Sequence, residues 1–514
     1  MAMRRACIGM VAMVLMTVAA APLSAQTPQQ RDWCFKGGTD DQAIQGCTAV
    51  LQSAGLTPEQ RGEAFFARAL AYDHKADYDR AIADYSEAIR LKPASSNTFL
   101  NRCGAYWHKG DYDRAIADCD QAIRLDPKNA MAFSNRGNAY AHKRQYDRAL
   151  ADYDQALKLN PKMMEAYVSR GVSFMDTNQY DRALADFDQA IRLDPKQVRA
   201  YVNRCVIHVL RGQPARALPD CNEAIRLNPN YANPYLGRCS AYMAMADHAR
   251  ALADCNQAIR LDPNQMAGYL IRGNTYAMKG DYDLALADFE QVLRFNPNSP
   301  EGLAGRGVAY VGKSQPDRAI VDFDAALRVR PSLEDALVGR GDAYRMKGQY
   351  ESALADYDQA LRTNPSQAMA YRGRASAFLK TAQYDRAIAD LDQAIRLEPG
   401  NASSYNNRCW ARAIAGHLLQ AVTDCDEALR LRPGEYAALD SRGFAQLKLG
   451  DYNRAVADYD AALGVNPRSA TSLFGRGIAK LRKGDRAGGS ADLAAARAIE
   501  PGIDARYAGY GIRP

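Results

Sequence analysis

Cysteine is the residue type in this 514-residue chain best placed to do chemistry, with eleven copies. Cys7 lies near the start, Cys34 and Cys47 follow, and the other eight fill two recurring positions. Cys103, Cys205, Cys239 and Cys409 each precede a second cysteine at one constant interval, namely Cys119, Cys221, Cys255 and Cys425. Wherever one position is cysteine, so is the other; elsewhere the same positions hold Gly or Ala opposite Tyr, Phe or Leu. A disulfide within each pair is the expectation, two medium side chains replacing a small-plus-large contact. Closing a loop of about 15 residues corresponds to about 3 kcal/mol in the chain-entropy account. Three alternatives stay open. The thiols could be reduced and buried; they could bind zinc, although each pair offers two ligands where a structural site takes four; or they could serve a redox enzyme, which usually carries Cys-x-x-Cys.

Other chemistry finds less support. Asp111 with Asp113 and Asp152 with Asp154 recur from unit to unit without a companion nucleophile, so they read as helix caps or ion-pair partners. They lack the glycine and terminal glutamate of a calcium loop. His74, His108 and His142 take the same place in three successive units, and equivalent residues on packed helices stand about 10 Å apart, too far to share a metal. Unit duplication explains them; the alternative is a pH-sensitive binding edge. Catalytic, cofactor-binding and metal-ligating residues are therefore expected to be absent, and no cofactor is implied.

The elements that position these residues follow from one period. Prolines 93, 127, 161, 195, 229, 263, 297, 331, 365, 399, 433, 467 and 501 are evenly spaced without interruption, the mark of stacked equivalent units. Within the unit ending at Pro161, Ala132, Phe133, Gly137, Ala139 and Tyr140 have helical spacing, as do Ala149, Leu150, Tyr153, Ala156, Leu157 and Leu159. Lys143-Arg144-Gln145 makes a polar turn between them, and the proline stops the second helix because the residue before it is pushed out of the α region. Ala stands twelve residues before all these prolines except the last, where Gly489 takes its place, so helix axes can approach closely. A large residue eight before the proline, such as Tyr85, Tyr153, Phe187, Phe289, Phe323 or Tyr357, then covers a small residue of the facing helix. Arg stands 25 before every proline and Asp nine before, which predicts a structural ion-pair ladder.

The pattern Gly137, Tyr140, Ala149, Tyr153, Ala156, Pro161 resembles the tetratricopeptide repeat family, with the likeness running from Gly62 to Pro501. Arg136 departs from it, sitting where that family usually has Leu, and the family's first aromatic is missing or replaced. The resemblance implies an all-α, right-handed superhelical solenoid of antiparallel helix pairs whose concave groove binds peptides or proteins. It places the groove at positions 27 and 23 before each proline: Val168, Val172, Val202, Val206, Leu236 and Leu270 in the middle, then Asp342, Arg372, Asn406, Trp410, Asp440 and Phe444. The lysine with which the family clamps a terminal carboxylate is absent from the first of these positions, so such capture is disfavoured. The apolar members have a second reading, as packing between neighbouring helices.

The ends complete the organisation: 1–25 a signal peptide, 26–61 a half-repeat cap, 62–501 thirteen repeats and 502–514 a tail. Arg4 and Arg5 precede an uncharged apolar run from Ile8 to Ala21, and Leu23-Ser24-Ala25 offers small residues for cleavage. Asp41-Gln42-Ala43-Ile44-Gln45-Gly46-Cys47 echoes Asp113 to Cys119, which puts Cys47 in the aromatic position and makes Cys34 its expected partner. Such a cap covers the first apolar face of an array. Pro214, His248 and Leu418 replace the tyrosine that usually opens the second helix of a unit, and Pro219 is expected to kink or break its helix. The formal charge of +7 is spread over fixed repeat positions instead of one patch, which argues against nucleic acid. The expectation is an exported, periplasmic or secreted scaffold that binds a protein or peptide, without stable membrane insertion once the signal is removed. Its alternatives are a structural spacer or assembly factor, or an accessory subunit of an envelope enzyme.

Overall fold

The computed structural model describes residues 27–514, and the expected signal peptide lies outside them. Every regular element described is a helix, and none is long and apolar enough to cross a membrane. The chain divides after Asn230 into two compact units. The first holds a short hairpin, Pro28–Phe35 with Asp40–Gln52, followed by five longer hairpins from Pro58–His74 through Pro214–Leu227. The second holds eight hairpins, from Ala232–Ala244 to Arg486–Ile499, and a final helix, Ile503–Gly509.

Local chemistry sets the helix boundaries. Thr27, Thr39 and Thr57 each form a capping box with a glutamine three residues on, satisfying two of the backbone donors that a helix start leaves unpaired. Asp111 caps the helix Tyr112–Leu125 through the Arg114 N–H. Between the two helices of each repeat, the residue 17 before the proline takes positive φ. It is glycine at 110, 212, 280, 348, 416, 450 and 484, but Ala76, Arg144, Asn178, Ala246, Ser314 and Ala382 adopt the same conformation. The turn geometry is thus common to all units, while the residue suited to it is not.

Alanines twelve and five before the proline sit in the helix interfaces with essentially no exposure, as at Ala149 and Ala156. The aromatic ring between them is buried on both sides. A Cβ added to Gly341 would fall 2.7 Å from the Tyr357 ring, and one added to Gly373 of the next hairpin 2.6 Å from it. One ring therefore fills the interior of its own hairpin and the seam to the next.

The helix Pro214–Leu227 runs through Pro219 without the break that was one of the two expected outcomes. Pro219 lies on the more open face of its helix. Its missing N–H removes one helical hydrogen bond on the solvent side, where water can satisfy the freed carbonyl.

Candidate functional site

The five cysteine pairs meet. Cα–Cα distances are 5.6 Å for Cys103–Cys119, 5.7 Å for Cys205–Cys221, 5.6 Å for Cys239–Cys255 and 5.5 Å for Cys409–Cys425, each with its sulfurs joined. Cys34 and Cys47 join across the first hairpin at 4.7 Å. There the close approach requires Gly46, whose added Cβ would stand 2.4 Å from the Gln30 carbonyl.

The arginine ladder does more than its spacing foretells. Arg136 donates from Nε and Nη2 to both oxygens of Asp152, at 2.8 and 2.6 Å, a bidentate pair within the hairpin. Its third nitrogen, Nη1, reaches back 2.5 Å to Asp120 of the preceding hairpin. The same bridge recurs from Arg170 to Asp154, Arg340 to Asp324, Arg374 to Asp358 and Arg442 to Asp426, and from Arg102 to the Ser86 hydroxyl. Burial raises the carboxyl pKa of Asp152 and Asp186 despite the guanidinium beside each. Asp492 is held low, burial notwithstanding, because both Arg476 and Lys480 contact it. These groups are bound to one another throughout and are structural.

The groove residues divide. Val168, Val202 and Phe444, expected to face a ligand, are buried, with exposures of 2, 6 and 1%. Val168 shares a buried cluster with Phe187 of its own hairpin and Ala200 of the next first helix; the second reading of the apolar members holds there. Val172 and Val206 are half-buried. Asp342 accepts from the Tyr357 hydroxyl at 2.8 Å and from Arg345 at 3.1 Å, and Arg372 pairs with Glu398, so both are already engaged within the chain. Asn406 is half-buried, and its Oδ1 has no hydrogen-bond partner.

In the first unit, three successive first helices and the start of a fourth surround a cleft of about 270 Å³, lined among others by Trp107, Asn138, Val172, Ser173, Asp176 and Arg199. Tyr153 donates to Asn138 Oδ1 at 2.8 Å, and the buried Trp107 indole N–H has no partner. His142 closes one side, edge-on to Trp107 at 5.2 Å and stacked on Tyr112 at 4.9 Å. The cleft offers an aromatic wall and charges of both signs. Sequence reasoning missed Trp107, Asp176 and Arg199 because they lie outside the two positions the family resemblance marks.

In the second unit, Trp410 and Phe444 stand 4.9 Å apart, centroid to centroid, under Tyr510 of the C-terminal segment. Beside them Asp440 accepts from the Ser472 and Thr471 hydroxyls, and burial raises its pKa. The tail is therefore a packed element, which the sequence left largely unread.

Helix hairpins repeated at one strict interval, joined by interlocked small and aromatic side chains, define an all-α repeat protein. Tetratricopeptide-repeat family profiles match residues 62–95, 105–143, 130–163, 168–232, 235–265, 267–299, 341–381, 372–436 and 442–504. The chain belongs to the tetratricopeptide repeat family. Its fold is similar to that in the crystal structure of the APC/C hetero-tetramer Cut9–Hcn1, with TM-score 0.57 and 16% identity, covering 92% of each chain. A tetratricopeptide repeat protein from Parabacteroides merdae ATCC 43184 matches 49% of this chain and 99% of its own, with 24% identity and TM-score 0.42. No curated protein matches the chain. Repeats of this family are protein-interaction modules.

Proposed function

We propose that the protein is an exported, non-catalytic scaffold, periplasmic or secreted, that holds a segment of a partner protein against the first-helix face of its repeats. The observation that carries this reading is the cleft where half-buried Trp107, Asn138 and Val172 and the exposed Arg199 converge from successive hairpins. Aromatic and arginine side chains in such concave settings dominate protein recognition energetics. An extended or short helical segment with one apolar side chain beside a charged or polar one fits it.

Export is supported by the basic and apolar leader and by the pairing of all ten cysteines beyond residue 26. Structural disulfides persist in oxidising compartments. Thiol titration of the denatured protein should detect no free thiol until a reductant is added.

The binding reading is tested by capture from an envelope extract with the wild type beside Trp107→Ala and Arg199→Ala. A partner retained at least tenfold better by the wild type, with all three proteins equally helical, is expected; equal retention would sink the cleft assignment. The Arg–Asp bridges from hairpin to hairpin favour a second reading, a spacer that works through its length. In that case removing one whole repeat, and not truncating cleft side chains, would abolish function.

A further inference from the structure

The repeat fixes where charges stand, but not what they face. On the exposed side of most second helices, an arginine 13 residues before the proline meets the N-cap residue 16 before it. Beside Arg80, Arg114 and Arg250 that residue is Asp77, Asp111 and Asp247, which caps the helix and also neutralises the guanidinium. In the adjacent hairpins ending at Pro161 and Pro195 it is Gln145 and Gln179. Neither caps its helix. Each only accepts from the arginine, from Arg148 at 3.2 Å and from Arg182 at 2.9 Å. A favourable cap is given up, and two cations are left without a counter-charge.

The same two hairpins close with Lys158 and Lys162, and with Arg192 and Lys196, all exposed. Gln189 holds Arg192 at 3.0 Å, where Arg90 and Arg226 have Glu87 and Glu223. None of these six cations has a carboxylate partner among the described residues. The nearby acids are mostly engaged: Asp154 and Asp188 hold Arg170 and Arg204, and Asp181 holds Arg211. Asp194 accepts from the Lys196 backbone N–H, and Asp147 has lost its partner. In the hairpins before it, Asp79 and Asp113 pair with Lys109 and Lys143 of the next turn, but Thr177 stands where that lysine would be. The hollow between successive turns is larger there, about 610 Å³ beside Arg144, Gln145, Tyr146, Asp147, Arg148 and Thr177, against about 330 and 390 Å³ at the lysine-filled turns. Tyr78 and Tyr112 in those turns lie under His108 and His142. Asp176 takes the histidine's place after Tyr146, whose ring has no stacked partner among the described residues.

We propose that this hollow and the second-helix face that continues from it bind a linear acidic polysaccharide, a chain of sugars bearing carboxylates. Guanidinium groups match carboxylates in geometry as well as charge. The amides of Gln145 and Gln179 and the carboxylate of Asp147 can meet sugar hydroxyls, and the uncovered Tyr146 ring offers a flat apolar surface to the C–H face of a sugar. Arg148 and Lys158 stand about 15 Å apart along their helix, and neighbouring helices pack about 10 Å apart, so the six cations line a face that a run of several sugars spans. Between the cations of each helix lie the small, exposed Ala151 and Ala185, which give a protein partner no large apolar anchor. This activity goes beyond the protein-binding scaffold and does not rest on it.

The probe is a fluorescently labelled oligogalacturonate, a carboxylate-bearing sugar chain, titrated into the purified protein. Binding should weaken as salt is raised, and neutral dextran should not compete. Gln145→Asp with Gln179→Asp gives both helices the cap that Asp111 supplies and both arginines a counter-charge. It should raise Tm yet weaken binding at least tenfold, a loss that misfolding cannot explain. Thr177→Lys, which supplies the missing partner of Asp147 and fills the hollow, should also weaken binding at least tenfold although it adds a positive charge. Arg80→Gln with Arg114→Gln removes cations that are already neutralised and should change affinity less than twofold. Unchanged or tighter binding by Thr177→Lys would overturn the proposal, as would equal affinity of the Gln145→Asp, Gln179→Asp protein or no binding by the wild type. Duplex DNA or phosphatidylglycerol vesicles bound as tightly as the oligogalacturonate would overturn it too, because the face would then respond to charge alone.

Discussion

Two hairpins of the second unit solve the same packing problem with opposite means. In the hairpin ending at Pro365, Tyr357 is fully buried between Gly341 of its own hairpin and Gly373 of the next. In the hairpin ending at Pro263, Cys239 and Cys255 replace that small and large pair by a bond, and Ile271 of the next hairpin packs against them where Gly373 packs against the ring. Volume taken out of one hairpin is put back by its neighbour. The ring, however, holds two hairpins together, while the disulfide holds only its own.

The largest effect follows from removing the ring. Tyr357→Ala should cost about 3–5 kcal/mol, read from urea unfolding, and amide exchange should accelerate in both the Pro365 hairpin and the one after it. A loss below about 1 kcal/mol would mean the interface collapses to refill the space, and the contrast would fail. Next is Cys239→Ala with Cys255→Ala, expected to cost about 2–4 kcal/mol. Here faster exchange should stay within Ala232–Leu261. Spread of equal size into the following hairpin would show that the bond, like the ring, couples neighbours.

Exchanging the compensation sharpens the point. Gly373→Ile alone places a side chain into the Tyr357 ring, and overpacking of this kind costs about 1–3 kcal/mol. In the Tyr357→Ala background the same isoleucine should recover stability, so the two changes must be strongly non-additive in a double-mutant cycle. Additive costs would refute the idea that volume is shared across the seam.

Much of this architecture could be read from residue spacing, because a strict period converts every position into a structural address. The hairpins, the cysteine partners and the Arg–Asp pairs within each hairpin all share that register. What escaped was whatever left it. The second arm of the arginine bridge ends on Asp120 in one place, Ser86 in another and Thr48 at the start, so no single residue type marks it. Pro219 carries a strong local signal for a broken helix, yet the helix continues through it with the proline on the solvent side, a tertiary property. The packing of Trp410 and Phe444 under Tyr510 depends on a segment outside the repeat, and Val168 and Val202 are buried by neighbours whose approach the spacing does not specify.

The smallest prediction asks whether the two hairpin types differ anywhere except at the contact itself. Ala246, in the disulfide hairpin, and Ser314, in the hairpin filled by Phe323, both hold left-handed backbone with φ 57°. Seven other repeats use glycine there. A side chain in this conformation costs about 1–2 kcal/mol, part of which glycine returns as extra freedom in the unfolded chain. Ala246→Gly and Ser314→Gly should therefore each stabilise by about 0.5–1 kcal/mol, and by the same amount, because the turn lies outside both the bond and the ring. If Ala246→Gly gave nothing while Ser314→Gly gave the full gain, the disulfide would be constraining the turn as well as the helices it joins. The two hairpins would then differ along their whole length, and their contrast could not be assigned to the buried contact alone.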